Sequence, residues 1–146
     1  MRRRTSIDEP TGAVHAMEVR VRYAETDQMG RAHHANYLVW CELGRTTLMR
    51  EHGVSYARLE EEGVILPVAR AELEYRAPLV YDELLRIETW VERVRSREIV
   101  FAYRMRRETG AVAATARITL VSADPEGRPV RLPEATRVAL SALARA

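Results

Sequence analysis

One long segment of helical spacing, followed by four segments that alternate every second residue, limits what this chain can fold into. The helical segment runs from about residue 34 to residue 52, with apolar or small residues spaced by three and four positions. The alternating segments follow at residues 64–75, 85–92, 99–106 and 112–120, and short connections join them. Short connections predict antiparallel neighbours, because a parallel crossover needs about a dozen or more residues.

Two further elements complete the predicted order. Residues 17–23 alternate in the same way and predict a first strand. Residues 55–62 predict a short second helix, with Ser55 as its N-cap and a glycine on either side as a stop signal. A strand, a long helix, a short helix and four strands together predict an α+β fold, in which a five-stranded antiparallel sheet wraps one long helix.

The chain has the size of one domain. Its 146 residues fall in the usual range, and no repeat or linker divides them. We expect residues 1–15 to be a flexible leader, residues 16–133 to form the domain, and residues 134–146 to be a tail that forms a short helix or frays. No apolar run is long enough to span a membrane, and no apolar stretch follows the basic start, so we expect a cytoplasmic location.

The charged residues and the single cysteine exclude several classes of function. All 23 basic residues are arginines, which excludes Schiff-base chemistry and a P-loop. The net charge is +2, with positive charges spread among negative ones, so we expect no nucleic-acid partner. Cys41 cannot form an internal disulfide. The adjacent His33 and His34 lack acidic partners at helix spacing, so we expect neither a metal nor another cofactor.

One polar loop carries the residues from which chemistry could arise. Residues 23–37 join the first strand to the long helix, and Asp27 lies seven positions before His34, where the predicted helix begins. Helix N-termini expose unpaired N–H groups and a partial positive charge, which can polarise a carbonyl. A nearby carboxylate could activate water or attack directly. From the residues alone, Asp27 has either this role or the ordinary one of a turn or cap residue.

The same segment resembles the signature of the 4-hydroxybenzoyl-CoA thioesterase family of hot-dog fold proteins, in particular the Tol-Pal-associated acyl-CoA thioesterases. The residues that carry this resemblance are Tyr23, Thr26, Asp27, Gly30, His34, Asn36 and Tyr37. Weaker matches extend it over about residues 17–133, at Glu42, Arg45, Glu74, Tyr75, Pro78, Asp82, Asp124 and Pro125. The resemblance implies a hot-dog fold and hydrolysis of an acyl or aroyl coenzyme A thioester.

The resemblance also implies a role for each residue of the loop motif. Asp27 falls on the family's catalytic aspartate, as general base or nucleophile, and the backbone N–H of His34 falls on the group that polarises the thioester carbonyl. Gly30 would let the loop approach the substrate closely. Asn36 and Tyr37 would start the helix and shape the acyl pocket.

Two other charged pairs receive weaker interpretations. Coenzyme A phosphates meet basic side chains near strand ends in such proteins, which makes Arg95 and Arg97 candidates, with a solvated hairpin as the alternative. Glu42 could be a second catalytic acid, but its spacing to Arg45 favours an ordinary helix ion pair.

Two other functions stay open alongside hydrolysis. A hydratase or dehydratase of acyl thioesters would need a histidine where Ala32 stands, although His33 lies one position further. A non-catalytic acyl-CoA or lipid-binding module has the same fold, but it has no use for Asp27 beside the carbonyl. With either function we expect a homodimer or a dimer-of-dimers tetramer, because a single sheet around one helix leaves unpaired edges.

Overall fold

Strands form where the sequence alternates. The computed structural model describes residue 7 and residues 9–145. Within these residues the strands are β1 (His15–Arg20), β2 (Val68–Tyr75), β3 (Leu84–Val94), β4 (Glu98–Arg106) and β5 (Val112–Val121). They form one sheet in the order β1-β3-β4-β5-β2, and every neighbouring pair is antiparallel. The predicted α+β fold with a five-stranded antiparallel sheet is confirmed.

Three helices accompany the sheet in the described part of the chain. They are α1 (Asn36–Glu51), α2 (Tyr56–Glu61) and α3 (Glu134–Ala144), and a short 3-10 turn (Tyr23–Glu25) precedes α1. The chain leaves α1 through Gly53, whose φ of +78° suits a residue without a side chain. Ser55 caps α2 as predicted, since its hydroxyl accepts the Arg58 N–H at 3.3 Å. None of the described helices is long and apolar enough to cross a membrane.

Helix α1 packs closely on the inner face of the sheet. Gly44 permits this approach, because a Cβ at that position would collide with the Thr89 hydroxyl of β3. The large side chains that α1 buries are Trp40, Leu48 and Met49, and they meet a core that includes Leu85, Ile87, Phe101 and Tyr103 from the sheet. Each fully buried side chain of this size stabilises the fold by about 1.5–3 kcal/mol.

The outer face of the sheet carries ion pairs rather than a second helix layer. Glu88 of β3 accepts hydrogen bonds from Arg104 at 2.9 Å and Arg106 at 2.7 Å. The Arg104 guanidinium also lies 5.8 Å from the centre of the Trp90 ring, which is buried beneath it. The long arginine side chains thereby cover apolar surface while their charged ends stay paired.

The first strand and the region before it differ from the prediction. Strand β1 begins at His15, within the expected leader, and ends at Arg20 rather than at Tyr23. Tyr23 instead enters the 3-10 turn, where its side chain is largely exposed and meets Tyr81 edge-on. Residues 1–6 and 8 of the expected leader, and residue 146 of the tail, lie outside the described residues. The rest of the tail contains α3.

The expected ion pair between Glu42 and Arg45 is not formed. Arg45 is buried, and its Nε donates to the Tyr56 hydroxyl at 3.3 Å instead. The side chain therefore joins α1 to α2 under the surface. Helical spacing made an exposed pair plausible, but it did not show that Arg45 lies on the buried side of the helix.

Candidate active site

The carboxylate of Asp27 shapes the loop before α1. Its Oδ1 accepts the backbone N–H of Met29 at 2.8 Å and of Arg31 at 3.3 Å. The Asp27 N–H donates to the Arg31 carbonyl at 2.7 Å, and Gly30 closes the turn with a φ of +77°. Asp27 Oδ2 has no hydrogen-bond partner among the described residues. One oxygen therefore holds the turn, and the other is left for chemistry.

Backbone donors at the start of α1, those of His34 and Ala35, have no acceptor among the described residues. The N–H of His33 donates to the Glu25 carbonyl at 2.7 Å, and the N–H of Asn36 donates to the His33 carbonyl at 3.0 Å. Between them, the N–H of His34 donates to no acceptor in the described part of the chain. The His34 carbonyl is held from the sheet, since the Tyr75 hydroxyl donates to it at 2.9 Å. The free N–H thus belongs to a fixed backbone at the positive end of a helix.

Asp27, His34 and Tyr37 line one cavity of about 270 Å³. Three sequence-predicted residues from the loop and the helix are therefore brought together. The remaining lining residues are Met29, Arg31, Ala32, Tyr75, Arg76, Ala77 and Pro78. Of these, Arg31 and Arg76 were not singled out from the sequence, because their proximity depends on how the loop meets the end of β2.

The other predicted site residues do not line this cavity, and the connection that contains Arg95 and Arg97 lies at the opposite end of the sheet from Tyr75. Gly30 forms the turn beside Asp27. The Asn36 side-chain amide donates to the Glu25 carbonyl at 2.8 Å, so it fastens the loop to the helix. Arg95 and Arg97 lie exposed in the connection between β3 and β4.

Aromatic rings form one wall of the site. Tyr37 is only 3% exposed, and its ring meets the Trp40 and Tyr75 rings edge-on at 5.0 and 4.9 Å. Burial raises the pKa of Tyr37 above its usual value, so its hydroxyl stays protonated. This wall can receive an apolar or aromatic group.

Glu25 is a structural residue of the site that the sequence did not reveal. Its side chain is 5% exposed, with Oε1 accepting the Arg22 N–H at 2.7 Å and Oε2 accepting the Trp40 indole N–H at 3.1 Å. The Glu25 carbonyl accepts hydrogen bonds from the His33 backbone N–H and from the Asn36 side-chain amide. A buried carboxylate in a polar loop has no local signature, and only the need of Trp40 for an acceptor hinted at one.

The site offers no metal centre or thiol nucleophile in the described residues. No group of three or more His, Cys, Asp or Glu side chains is arranged to hold a metal ion there. Burial raises the pKa of the Cys41 thiol to about 12, so it is not a thiolate near neutral pH. The groups that the lining residues offer are a carboxylate, an imidazole, a backbone donor, arginines and tyrosines.

Known proteins share both the sequence and the fold. The model of the thioesterase-like superfamily matches residues 21–140. The Bacillus subtilis protein YneP is 39% identical over 119 residues, covering 81% of this chain and 86% of its own. The acyl-CoA thioester hydrolase YbgC of Escherichia coli is 33% identical over 117 residues, covering 80% of this chain and 87% of its own.

A solved structure supports the same assignment. The DHNA-CoA thioesterase of Staphylococcus aureus superposes with a TM-score of 0.79 at 34% identity, covering 82% of this chain and 80% of its own. The resemblance seen in the loop motif is thereby confirmed over most of the sequence. The chain belongs to the thioesterase-like superfamily and has its hot-dog fold.

Proposed function

We propose that this protein hydrolyses acyl-CoA thioesters, with Asp27 as general base or nucleophile and the backbone N–H of His34 polarising the carbonyl. One observation carries the proposal. A carboxylate oxygen and a helix-start N–H, both without partners among the described residues, belong to residues that line the same cavity. The similarity to the acyl-CoA thioester hydrolase YbgC favours the same chemistry.

The reaction follows from where charge develops. The thioester oxygen would accept the His34 N–H and gain negative charge as the carbonyl carbon is attacked, next to the positive end of α1. As a base, Asp27 Oδ2 would take a proton from the attacking water, whose oxygen bonds to that carbon. The C–S bond then breaks, and the thiolate of coenzyme A leaves and takes up the proton. As a nucleophile, Asp27 Oδ2 would attack the carbonyl carbon, the C–S bond would break with departure of the coenzyme A thiolate, and water would hydrolyse the resulting anhydride to the free acid and the Asp27 carboxylate; the thiolate would take up the proton released.

Coenzyme A and a second copy of the chain complete the proposal. Arg95 and Arg97 stay candidates for binding the phosphates of coenzyme A, since both are exposed in the connection between β3 and β4. A cytoplasmic location is also part of the proposal, because coenzyme A thioesters occur in that compartment.

Exposed apolar side chains support the proposed homodimer or pair of dimers. Strand β2 is an edge of the sheet, and side chains on β2 and α1 are 40–51% exposed although they are apolar or aromatic. They are Leu38, Val39, Leu43, Val68 and Tyr75. Pairing of two β2 edges would continue the sheet and cover this surface. Because Tyr75 also lines the cavity, each site would lie close to the partner chain.

Asp27→Asn tests the catalytic assignment with little disturbance of the loop. The amide oxygen can accept the N–H groups that Oδ1 now accepts, so the melting temperature should stay the same. The amide cannot act as a base or an anionic nucleophile, and we expect kcat to fall at least about a hundredfold with little change in KM.

His34→Ala is the matched control for this test. It removes the imidazole but keeps the backbone N–H, so we expect a much smaller loss of kcat. Thioester hydrolysis is followed by thiol release from aromatic and aliphatic acyl-CoAs of several lengths. If Asp27→Asn keeps full activity, or loses it only through unfolding, the catalytic assignment of Asp27 fails. If the unsubstituted protein releases no thiol from any of these substrates, an acyl-CoA-binding module becomes the better account.

A further inference from the structure

Arg31 is a cation in the candidate active site that the proposed mechanism leaves unused. Arg31 belongs to the lining of the cavity that Asp27 and His34 share. Its backbone is fixed against Asp27, since the Arg31 N–H donates to Oδ1 at 3.3 Å and the Arg31 carbonyl accepts the Asp27 N–H at 2.7 Å. The backbone of Arg31 is thus fixed in the same turn as Asp27.

The cavity contains an arginine with which no described residue forms an ion pair. Its lining holds two arginines against the single carboxylate of Asp27. Arg76 pairs with Glu74 at 3.0 Å, outside the lining. Arg31 forms no ion pair with any described residue. An isolated cation on an open surface would be ordinary, but Arg31 belongs to the lining of a concave site, where an anionic ligand would supply the missing partner.

We propose that Arg31 binds an anionic oxygen of the acyl group, such as a carboxylate, and so selects acidic acyl thioesters. This inference rests on the proposed thioesterase function. A guanidinium matches a carboxylate with two parallel N–H donors, which gives both strength and orientation. The aromatic wall of Tyr37 and Tyr75 would hold the carbon chain between the thioester and this charge.

The acyl group is favoured over the phosphates of coenzyme A by the size of the site. The cavity measures about 270 Å³, and Arg31 shares it with both groups that act on the thioester. The long pantetheine arm separates the thioester from the phosphates, so a residue beside the carbonyl is poorly placed to reach them. Both sources offer anionic oxygen, and the experiment separates them.

The experiment compares two acyl groups of similar length, glutaryl and hexanoyl, which differ in a terminal carboxylate. We expect Arg31→Gln to lower kcat/KM for glutaryl-CoA about tenfold and to change the value for hexanoyl-CoA less than about twofold. Arg128→Gln is the matched control, because Arg128 is exposed and does not line the cavity, yet the net charge changes equally. We expect it to leave the ratio of the two substrates unchanged.

The same pair is then measured as N-acetylcysteamine thioesters, which contain no phosphate. If Arg31 binds the acyl group, the selective loss persists with these short substrates. A loss of kcat/KM that is seen with the coenzyme A thioesters and disappears with the short substrates assigns Arg31 to the phosphates. An equal loss for both acyl groups that persists with the short substrates removes Arg31 from substrate recognition. Either result overturns the inference. If the unsubstituted enzyme hydrolyses none of the four thioesters, the proposed function itself fails.

Discussion

Replacing Glu25 with glutamine should loosen the active-site loop by a calculable amount. The two carboxylate oxygens accept different donors, the Arg22 N–H at 2.7 Å and the Trp40 indole N–H at 3.1 Å. In Glu25→Gln, one of these donors faces the amide NH₂ instead of an oxygen. A hydrogen bond to a charged acceptor contributes about 1.5–3 kcal/mol, and the site is buried, so we expect about 2–3 kcal/mol of lost stability. For a domain of this size that lowers the melting temperature by roughly 5–10 °C.

The same substitution should lower kcat more than it changes KM. Glu25 holds the loop against Trp40 of α1, while its own carbonyl holds the His33 N–H next to the proposed donor at His34. Small displacements of reacting groups can cost about a hundredfold in rate. We therefore expect kcat to fall about tenfold or more at a temperature where the variant is fully folded.

Trp40→Phe and the double variant turn this prediction into a double-mutant cycle. Trp40→Phe removes the indole donor, so in the double variant the amide of residue 25 no longer faces it. The two losses of stability should then fall short of additivity by about 1 kcal/mol or more. Denaturant unfolding at fixed protein concentration measures this, with Trp90 as the remaining fluorophore. Additive losses, or an unchanged melting temperature for Glu25→Gln, would refute the argument.

Three further predictions concern assembly, coenzyme A and acid stability. Leu43→Glu places a charge in the exposed apolar surface of α1, so sedimentation should show smaller species; an unchanged assembly would contradict the dimer face. Joint replacement of Arg95 and Arg97 by Gln should raise KM for coenzyme A thioesters and weaken its salt dependence, with kcat unchanged. Burial would raise the pKa of Glu88, but hydrogen bonds from two arginines of β4 hold it below its usual value. Its stabilisation is therefore present above the usual pKa and lost as the pH falls through the lowered one, so Glu88→Gln should flatten the acid limb of unfolding curves.

The spacing of apolar residues and the positions of glycine and helix-cap residues predicted most of the fold. Alternation marked the four later strands within a few residues, because the inner face of the sheet packs on the core. Gly53 and Ser55 marked the break between α1 and α2. At the first strand the alternation continues through Tyr23, but the chain turns after Arg20. Alternation shows which side chains share a face only within a strand, and it does not show where the strand ends.

The parts that could not be predicted depend on contacts between distant segments. The burial of Glu25 depends on Trp40, and the inward turn of Arg45 depends on Tyr56. The presence of Arg31 and Arg76 in the lining of the same cavity depends on where β2 ends beside the loop. Each involves a polar residue whose own neighbours in the sequence suggest an exposed position.

The spacing between Asp27 and His34 has a physical origin in the loop itself. Residues pair across it as in a short hairpin: Asp27 with Arg31 at 2.7 Å, Thr26 with Ala32 by a bridge, and Glu25 with His33 at 2.7 Å. This ladder consumes one Asp27 oxygen at the turn and the His33 N–H at the open end. The next donor, at His34, and the second carboxylate oxygen have no partner among the described residues. The turn and the proposed catalytic role of Asp27 are therefore compatible, because separate oxygens of one carboxylate serve them.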